Sequence, residues 1–138
     1  MDLVPFARYT AEVLKPDFVG DTPAGRRMIV GVRDARWEGE RFRASQRGES
    51  AADWLLVGPD GTASPNVRMT LRTDDGCFVF AEYHGRADWS GGPGSAPVYI
   101  ALGFEVEDER YAWLNRTQFV GKGGLTDGRV AYDVYALR

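Results

Sequence analysis

The last stretch of the chain, Val130-Ala-Tyr-Asp-Val-Tyr-Ala-Leu137, decides which fold the sequence favours. One set of alternate positions is Val130, Tyr132, Val134 and Ala136, and the other set is Ala131, Asp133 and Tyr135. A period of two residues is typical of a β-strand whose two faces meet different surroundings. The end of the chain is therefore predicted to be a strand.

The same kind of pattern recurs along the chain, in alternating segments and in short apolar runs bounded by turn residues. These segments are Leu3–Leu14, Met28–Trp37, Phe42–Ser45, Trp54–Gly58, Val67–Thr73, Phe78–His84, Val98–Val106 and Tyr111–Val120. The turns Gly58–Gly61 and Thr73–Gly76 are typical of hairpins, because glycine adopts the positive φ that such turns need. Short connections pair neighbouring strands antiparallel, so about nine strands indicate a closed barrel or a sandwich.

Of these two architectures, the barrel leaves no open sheet edge. We therefore predict an all-β fold, a single small antiparallel β-barrel of about eight to nine strands. This barrel is expected to span residues 1–138 as one domain. Barrels of this size hold one small ligand in their interior, so an interior cavity is part of the prediction.

The single cysteine, Cys77, and the single histidine, His84, limit the chemistry. One cysteine excludes a disulfide within the chain, and the two residues together are too few for a structural zinc site. The glycine-rich stretches at 91–94 and 121–124 lack the strand-to-helix context of phosphate-binding loops. We therefore expect no metal and no cofactor, with chemistry carried by carboxylates, hydroxyls, amides and arginines.

Charge and hydropathy bear on partners and location. The net charge of −3 gives no overall attraction to nucleic acid. The basic segment Arg26–Arg47 is either a stacking and phosphate surface or, as we favour, a pair of strands with charged outer faces. No segment is apolar over the ~18 residues of a membrane helix, and the first residues do not resemble a signal peptide. We therefore expect a cytoplasmic protein that contacts neither nucleic acid nor membrane.

Two connections are longer than the others, Lys15–Gly25 and Gly85–Pro97. The second carries Trp89 together with several glycines and prolines. This composition is compatible with a lid over a ligand and equally with a solvent-exposed spacer.

Candidates for a site are polar residues that stand among apolar ones. One face of the strand Phe78–His84 carries Phe78, Phe80, Glu82 and His84. If this face lines the barrel, Glu82 and His84 lie about 7 Å apart along the strand and both reach one ligand. If the strand leaves the core at its end, both side chains lie in water.

Asp53 stands before Trp54 and the apolar run that follows. Its carboxylate either caps a turn by accepting from backbone amides or lies in a pocket beside an aromatic wall. Arg68 either pairs with a buried carboxylate, Asp53 or Glu82, or lies at the surface. The sequence leaves these alternatives open.

In the segment Tyr111–Val120, one face carries Tyr111, Trp113, Asn115 and Thr117. Aromatic rings followed by an amide form either a ligand wall or core packing in which Asn115 bonds to the backbone. Cys77 is seven residues from His84, about 23 Å along an extended strand, which excludes a Cys–His nucleophile.

The sequence resembles the family called domain of unknown function 3237, DUF3237, also known as UPF0311. The pieces that carry the resemblance are Ala52-Asp53-Trp54, Asp74-Asp75-Gly76, Tyr111-Ala112-Trp113-Leu114-Asn115 and Val130–Tyr135. Ser50-Ala51 stands where the family usually has a glycine pair, so the loop before Asp53 departs from the family pattern. The resemblance implies a small, often self-associating barrel with a cavity and no settled reaction. It carries over Asp53, Trp54, Trp113 and Asn115 as cavity residues.

We hypothesise a cofactor-independent enzyme that acts on a small apolar or aromatic metabolite by isomerisation, cyclisation, hydration or elimination. Asp53 or Glu82 is then the base, and Tyr83 or His84 is the partner acid. The residues expected to stabilise an enolate-type oxygen are Asn115 and Arg68, and those expected to hold the ring system are Trp54, Tyr111 and Trp113. The alternative is a non-catalytic, lipocalin-like binding barrel, which needs no titrating acid. We expect a homo-oligomer in either case.

Overall fold

A computed structural model describes all residues from 1 to 138. The chain forms eleven β-strands and one 3-10 helix, which spans Glu109–Arg116. The strands are β1 (Leu3–Val13), β2 (Asp17–Thr22), β3 (Gly25–Glu38), β4 (Arg43–Gln46), β5 (Ala52–Val57), β6 (Thr62–Ser64), β7 (Asn66–Thr73), β8 (Phe78–Asp88), β9 (Val98–Glu105), β10 (Phe119–Thr126) and β11 (Arg129–Leu137). No helix is long and apolar enough to cross a membrane.

The strands belong to one antiparallel sheet that closes on itself. Strand β1 pairs with β11 on one side and with β3 on the other, and this second pairing completes the ring. Strand β2 pairs only with β3, so the structure is a closed barrel of ten strands plus one extra strand. The predicted all-β barrel is confirmed, with more strands than predicted.

The extra strand replaces part of a predicted loop. Residues 15–25 were expected to form an irregular connection, whereas Asp17–Thr22 pairs with the first residues of β3. The hydroxyl of Thr22 donates to the carbonyl of Gly25 at 2.8 Å and tightens the turn. Gly25 has a φ of 133°, a conformation that favours glycine. Strands β2 and β3 therefore form a hairpin in a segment whose proline and glycine content predicted an irregular loop.

A second prediction is wrong in its first part. The segment Tyr111–Val120 was predicted as one strand, but its start belongs to the 3-10 helix and the strand begins at Phe119. The side chain of Asp108 accepts a hydrogen bond from the backbone N–H of Arg110, which caps the helix. This local capping bond favours a helical turn over the extended conformation that the alternating rings suggested.

Aromatic rings fill one end of the barrel interior. The residues that contact one another there are Phe6, Trp37, Phe42, Phe104, Trp113 and Phe119. Next to them, the ring of Tyr9 is stacked between Trp37 and Tyr132, at centroid distances of 4.4 and 5.6 Å. Such rings bury large apolar areas and pack in defined geometries, so this end is closed.

The 3-10 helix covers the closed end and is tied to the β7–β8 turn. Arg110 donates to the carboxylates of Asp75 and Asp108 and to the sulfur of Cys77, each at 3.0 Å. The hydroxyl of Tyr111 also donates to Asp75, at 2.9 Å. Cys77 is buried in this network, where its sulfur accepts from Arg110, so the residue contributes to holding the helix in place.

The basic segment lies mostly on charged outer faces of strands. Arg36 donates to Asp74 through both terminal nitrogens, and its Nε donates to Glu38 at 2.8 Å. Arg33 pairs with Glu12 across the β1–β3 ladder at 2.6 Å. These surface pairs engage arginines with carboxylates of the same chain.

Two adjacent glycines of β10 provide a test of the packing. A Cβ atom on Gly123 would fall onto the carbonyl oxygen of Ala131 and the ring of Tyr132, whereas one on Gly124 would meet nothing within 4 Å. We expect Gly123→Ala to lower the free energy of unfolding by about 2 kcal/mol or more, because overpacking forces the backbone to shift. Gly124→Ala is the matched control and is expected to change it by less than about 0.5 kcal/mol. Urea denaturation measures both, and equal effects would contradict the packing described.

Candidate functional site

A cavity opens at the end of the barrel opposite the aromatic cluster. Its mouth is surrounded by the β2–β3 hairpin, the β5–β6 turn, the β8–β9 loop and the β10–β11 turn. The cavity volume is about 1340 Å³. Ligand pockets typically measure roughly 300–1,000 Å³, so this cavity has room for a bulky ligand.

The cavity walls are mainly aliphatic. The apolar lining residues on the strands include Val13, Met28, Val30, Val32, Leu55, Val57, Val67, Val98, Leu125 and Val130. Short branched side chains do not reach across a barrel of this width, whereas the rings at the closed end do. The cavity therefore ends where the aromatic side chains begin.

Asp53 brings a carboxyl group into this apolar space. On β5, Asp53, Leu55 and Val57 all line the cavity, because alternate residues of a strand face the same side. Its Oδ1 accepts a hydrogen bond from the backbone N–H of Asn66 at 2.9 Å. Its Oδ2 has no hydrogen-bonding partner in the protein and is open to the cavity. One oxygen thus holds the carboxyl in place and the other faces a ligand.

The surroundings of Asp53 favour its protonated form. Burial raises the pKa of Asp53 to about 6, against the smaller opposing effects of the Asn66 amide and the positive charge of Arg27. Arg27 is held nearby by a 2.7 Å hydrogen bond to the carbonyl oxygen of Trp54. The carboxyl therefore gains and loses its proton close to neutral pH, as acid–base groups of enzymes do.

Two tyrosines lie beside this carboxyl at the inner end of the cavity. Tyr83 and Tyr132 both line the cavity, and each is 3% exposed. Their rings are 5.9 Å apart, and the charge of Asp53 acts on both hydroxyls. We call Asp53, Tyr83 and Tyr132 the floor of the cavity.

The hydroxyl groups of the floor differ in their partners. The Tyr132 hydroxyl makes no hydrogen bond within the protein and is open to the cavity. The Tyr83 hydroxyl lies 3.3 Å from the hydroxyl of Tyr9, which is buried beneath it. Burial raises the pKa of both floor tyrosines, so their hydroxyls keep their protons. The floor combines one titrating carboxyl with two hydroxyl groups.

Glu82 and His84 do not lie in the cavity. On β8 the inward side chains are those of Val79, Ala81 and Tyr83, all buried, so the neighbouring positions point outward. His84 is exposed and Glu82 is half-buried on the outer face. Of the two alternatives for Glu82 and His84, this register rules out the one in which their face lines the barrel.

Trp54 and Arg68 also lie on the outer face. The guanidinium of Arg68 is 4.6 Å from the centroid of the Trp54 ring, in a cation–π contact across β5 and β7. Arg68 forms no ion pair with Asp53 or Glu82. Because Asp53 faces inward, Trp54 as its neighbour must face outward.

Tyr111, Trp113 and Asn115 lie at the closed end, away from the cavity. The amide of Asn115 donates to the carbonyl of Val106 and accepts from its N–H, each at 2.8 Å. The ring of Trp113 packs edge-on against Phe6, with centroids 5.9 Å apart. These three side chains hold the helix onto the barrel, as the core-packing alternative proposed.

The segment 85–97 forms part of the cavity wall. Its first residues extend β8, and the indole of Trp89 donates to the carbonyl of Ala96 at 3.2 Å. The backbone N–H of Trp89 donates to the carbonyl of Gly61 at 2.9 Å, which ties the loop to the β5–β6 turn. Trp89 and Ser90 line the mouth.

Of the candidate residues, only Asp53 and Tyr83 line the cavity, and sequence reasoning missed Tyr132. A signal for Tyr132 was present in the alternation of β11, where it shares a face with Val130 and Val134. A tyrosine on a face of small aliphatic residues is a polar tip placed in apolar surroundings.

The raised pKa of Asp53 predicts a pH-dependent stability difference. The folded state favours the protonated carboxyl, so burial costs nothing below about pH 4 and its cost grows until the pH passes about 6. We expect Asp53→Asn, which keeps the acceptor for Asn66, to raise the free energy of unfolding above pH 7 by up to about 3 kcal/mol. The gain should vanish near pH 4.

Urea denaturation between about pH 4 and pH 8 measures this difference. Asp17→Asn is the matched control, because it changes an exposed carboxylate on β2 that has no hydrogen-bonding partner. A gain for Asp53→Asn that is the same at every pH would contradict the effect of burial.

Solved structures share this barrel. A β-barrel-like protein from Acinetobacter baumannii AYE is 26% identical with a TM-score of 0.87, covering 99% of this chain and 96% of that chain. A protein of unknown function from Clostridium acetobutylicum ATCC 824 has a TM-score of 0.90 at 22% identity, with 100% of both chains covered. An enzyme from Penicillium herquei has a TM-score of 0.76 at 17% identity, covering 99% and 94%. The last two likenesses show the shared fold alone.

Similarity also extends to a curated sequence and to a family model. A UPF0311 protein of Clostridium acetobutylicum is 30% identical over 77 residues, which are 55% of this chain and 48% of that protein. The chain thus spans about half the length of that relative. The family model described as protein of unknown function (DUF3237) matches residues 1–137, and the chain therefore belongs to the DUF3237 family.

Proposed function

We propose that this protein is a cofactor-independent enzyme that moves a proton on a small apolar metabolite bound in the cavity. The reaction class is isomerisation, cyclisation, hydration or elimination. The observation that carries the proposal is the carboxyl of Asp53, which lies in an aliphatic cavity with one free oxygen and a pKa of about 6. An apolar binding site needs no such group for binding alone.

Asp53 is the proton-transferring group in this proposal. A general base works best when its pKa is close to the working pH, since it then is deprotonated and still accepts a proton strongly. The amide of Asn66 holds one carboxylate oxygen, so the free oxygen keeps a defined position. The aliphatic walls give the bond that breaks apolar surroundings.

In this proposal, the hydroxyl of Tyr132 donates a hydrogen bond to the substrate oxygen on which negative charge develops. When a base removes a proton next to a carbonyl, negative charge moves onto the oxygen. The Tyr132 hydroxyl is open to the cavity without a partner in the protein, and burial keeps it protonated. A hydrogen bond from this hydroxyl stabilises the oxygen anion more strongly than the neutral oxygen, which lowers the barrier.

The substrate is expected to be bulky and mainly aliphatic in its contacts. The cavity volume of about 1340 Å³ and its valine-rich walls match such a molecule. The fold is shared with an enzyme from Penicillium herquei, which supports catalysis at the level of fold analogy. The competing function is a carrier that binds the same molecule without chemistry.

Hydrogen–deuterium exchange on a model ketone tests the proposed function. We expect the protein to accelerate exchange of the acidic C–H protons of α-tetralone in deuterium oxide, followed by NMR. The rate should rise as the pH passes about 6, because Asp53 accepts protons only when it is deprotonated. Asp53→Asn should slow the protein-dependent exchange by about 100-fold or more.

The exposed Asp17→Asn is the matched control and should retain the wild-type rate. If Asp53→Asn exchanges as fast as the wild type, the assignment of the base is wrong. If the ketone binds with no acceleration of exchange at any pH, the protein is a carrier.

A further inference from the structure

The buried hydroxyl of Tyr9 lies beneath the floor and contacts it at one point. Tyr9 is 0% exposed, and the only hydrogen-bonding partner of its hydroxyl is the hydroxyl of Tyr83 at 3.3 Å. A phenolic hydroxyl has one hydrogen to donate and lone pairs that accept. The pair therefore has two possible directions, and these leave different groups pointing at the cavity.

The surroundings of Tyr9 decide between the two directions. If Tyr83 donated to Tyr9, the hydrogen of Tyr9 would be buried without an acceptor, between the stacked rings of Trp37 and Tyr132. The indole nitrogen of Trp37 cannot accept it, because it is a donor that itself has no partner. A buried donor without an acceptor is costly, so this direction is disfavoured.

The opposite direction leaves neither hydroxyl of the pair with a buried, unpaired hydrogen. When Tyr9 donates to Tyr83, the hydrogen of Tyr83 is free to turn toward the cavity that Tyr83 lines. There a ligand oxygen or water accepts it. Accepting a hydrogen bond also polarises the Tyr83 hydroxyl and makes it a stronger donor.

We propose that Tyr9 is a positioning residue that directs the O–H of Tyr83 into the cavity, so that the site binds ligands that present a hydrogen-bond acceptor such as a carbonyl oxygen. The inference rests on the proposed function, since it names the substrate chemistry of the same floor. It adds that Tyr83 is a donor and that a residue outside the cavity sets this role.

A pair of probes of matched shape tests the inference. Acetylnaphthalene carries a carbonyl acceptor and no donor, and ethylnaphthalene has the same ring system without the carbonyl. We expect the wild type to bind the ketone about three- to tenfold more tightly than ethylnaphthalene, the gain of a typical hydrogen bond. The infrared stretch of the bound, carbon-13-labelled carbonyl should lie lower than in an apolar solvent.

Tyr83→Phe should reduce or abolish the preference for the ketone. Tyr9→Phe should reduce it by several-fold and move the carbonyl stretch to higher frequency, while the affinity for ethylnaphthalene stays unchanged. The matched control Tyr99→Phe changes an exposed tyrosine on β9 and should behave like the wild type. If Tyr9 had a merely structural role, Tyr9→Phe would weaken the binding of both probes equally. The carbonyl stretching frequency of the bound ketone would then be unchanged.

The inference is overturned if the wild type binds the two probes equally or binds neither, or if Tyr9→Phe changes neither the preference nor the stretch. It is also overturned if Tyr83→Phe keeps the wild-type preference, which would assign the donor to Tyr132, the other tyrosine of the floor. These results are distinguishable from failure of the proposed function. A protein whose ketone preference depends on Tyr83, but which shows no deuterium exchange, would be a carrier with the donor described. A protein that exchanges deuterium through Asp53 without the preference would be an enzyme that lacks this donor.

Discussion

The pairing of β1 with both β11 and β3 is the constraint on which the structure depends. It closes the sheet, and closure gives every strand of the ring one face toward a shared interior. Because the ten strands of the ring contribute alternate side chains, the identity of the inward residues decides what the interior becomes. Aromatic side chains fill the interior at one end, and the shorter valine side chains leave a cavity at the other end. The cavity is a direct consequence of that division.

The boundary between the two halves is also where polar groups are buried. Tyr9 belongs to the packed aromatic layer, and Tyr83 and Tyr132 have their rings in the core and their hydroxyls at the cavity. Asp53 faces the same boundary from β5. Burial in an apolar cavity is what gives its carboxyl a pKa near neutrality. The packing of the barrel thus sets the chemistry of the floor.

At the closed end of the barrel, polar side chains bind the 3-10 helix to the strands and do not line a cavity. Asn115 bonds to the backbone of Val106, and Arg110 joins Asp75 and Cys77 to the 3-10 helix. These residues are as distinctive in the sequence as Asp53 is, yet they hold a helix over the barrel end. Self-association, expected from the family resemblance, stays a prediction.

The sequence by itself determined the all-β class and the antiparallel hairpins, because a two-residue period and glycine turns act locally. It favoured a closed barrel over a sandwich because a barrel leaves no open sheet edge. It also indicated Asp53 and Tyr83 as members of a site. Only the tertiary structure decided which face of each strand turns inward. On β8 the inward face is that of Tyr83, so Glu82 and His84 lie on the outer face. It also decided that Tyr111–Asn115 forms a helix at the closed end, since a capping bond and contacts distant in sequence outweigh the local alternation. The physical reason is that periodicity defines two faces, whereas burial against distant strands selects one of them.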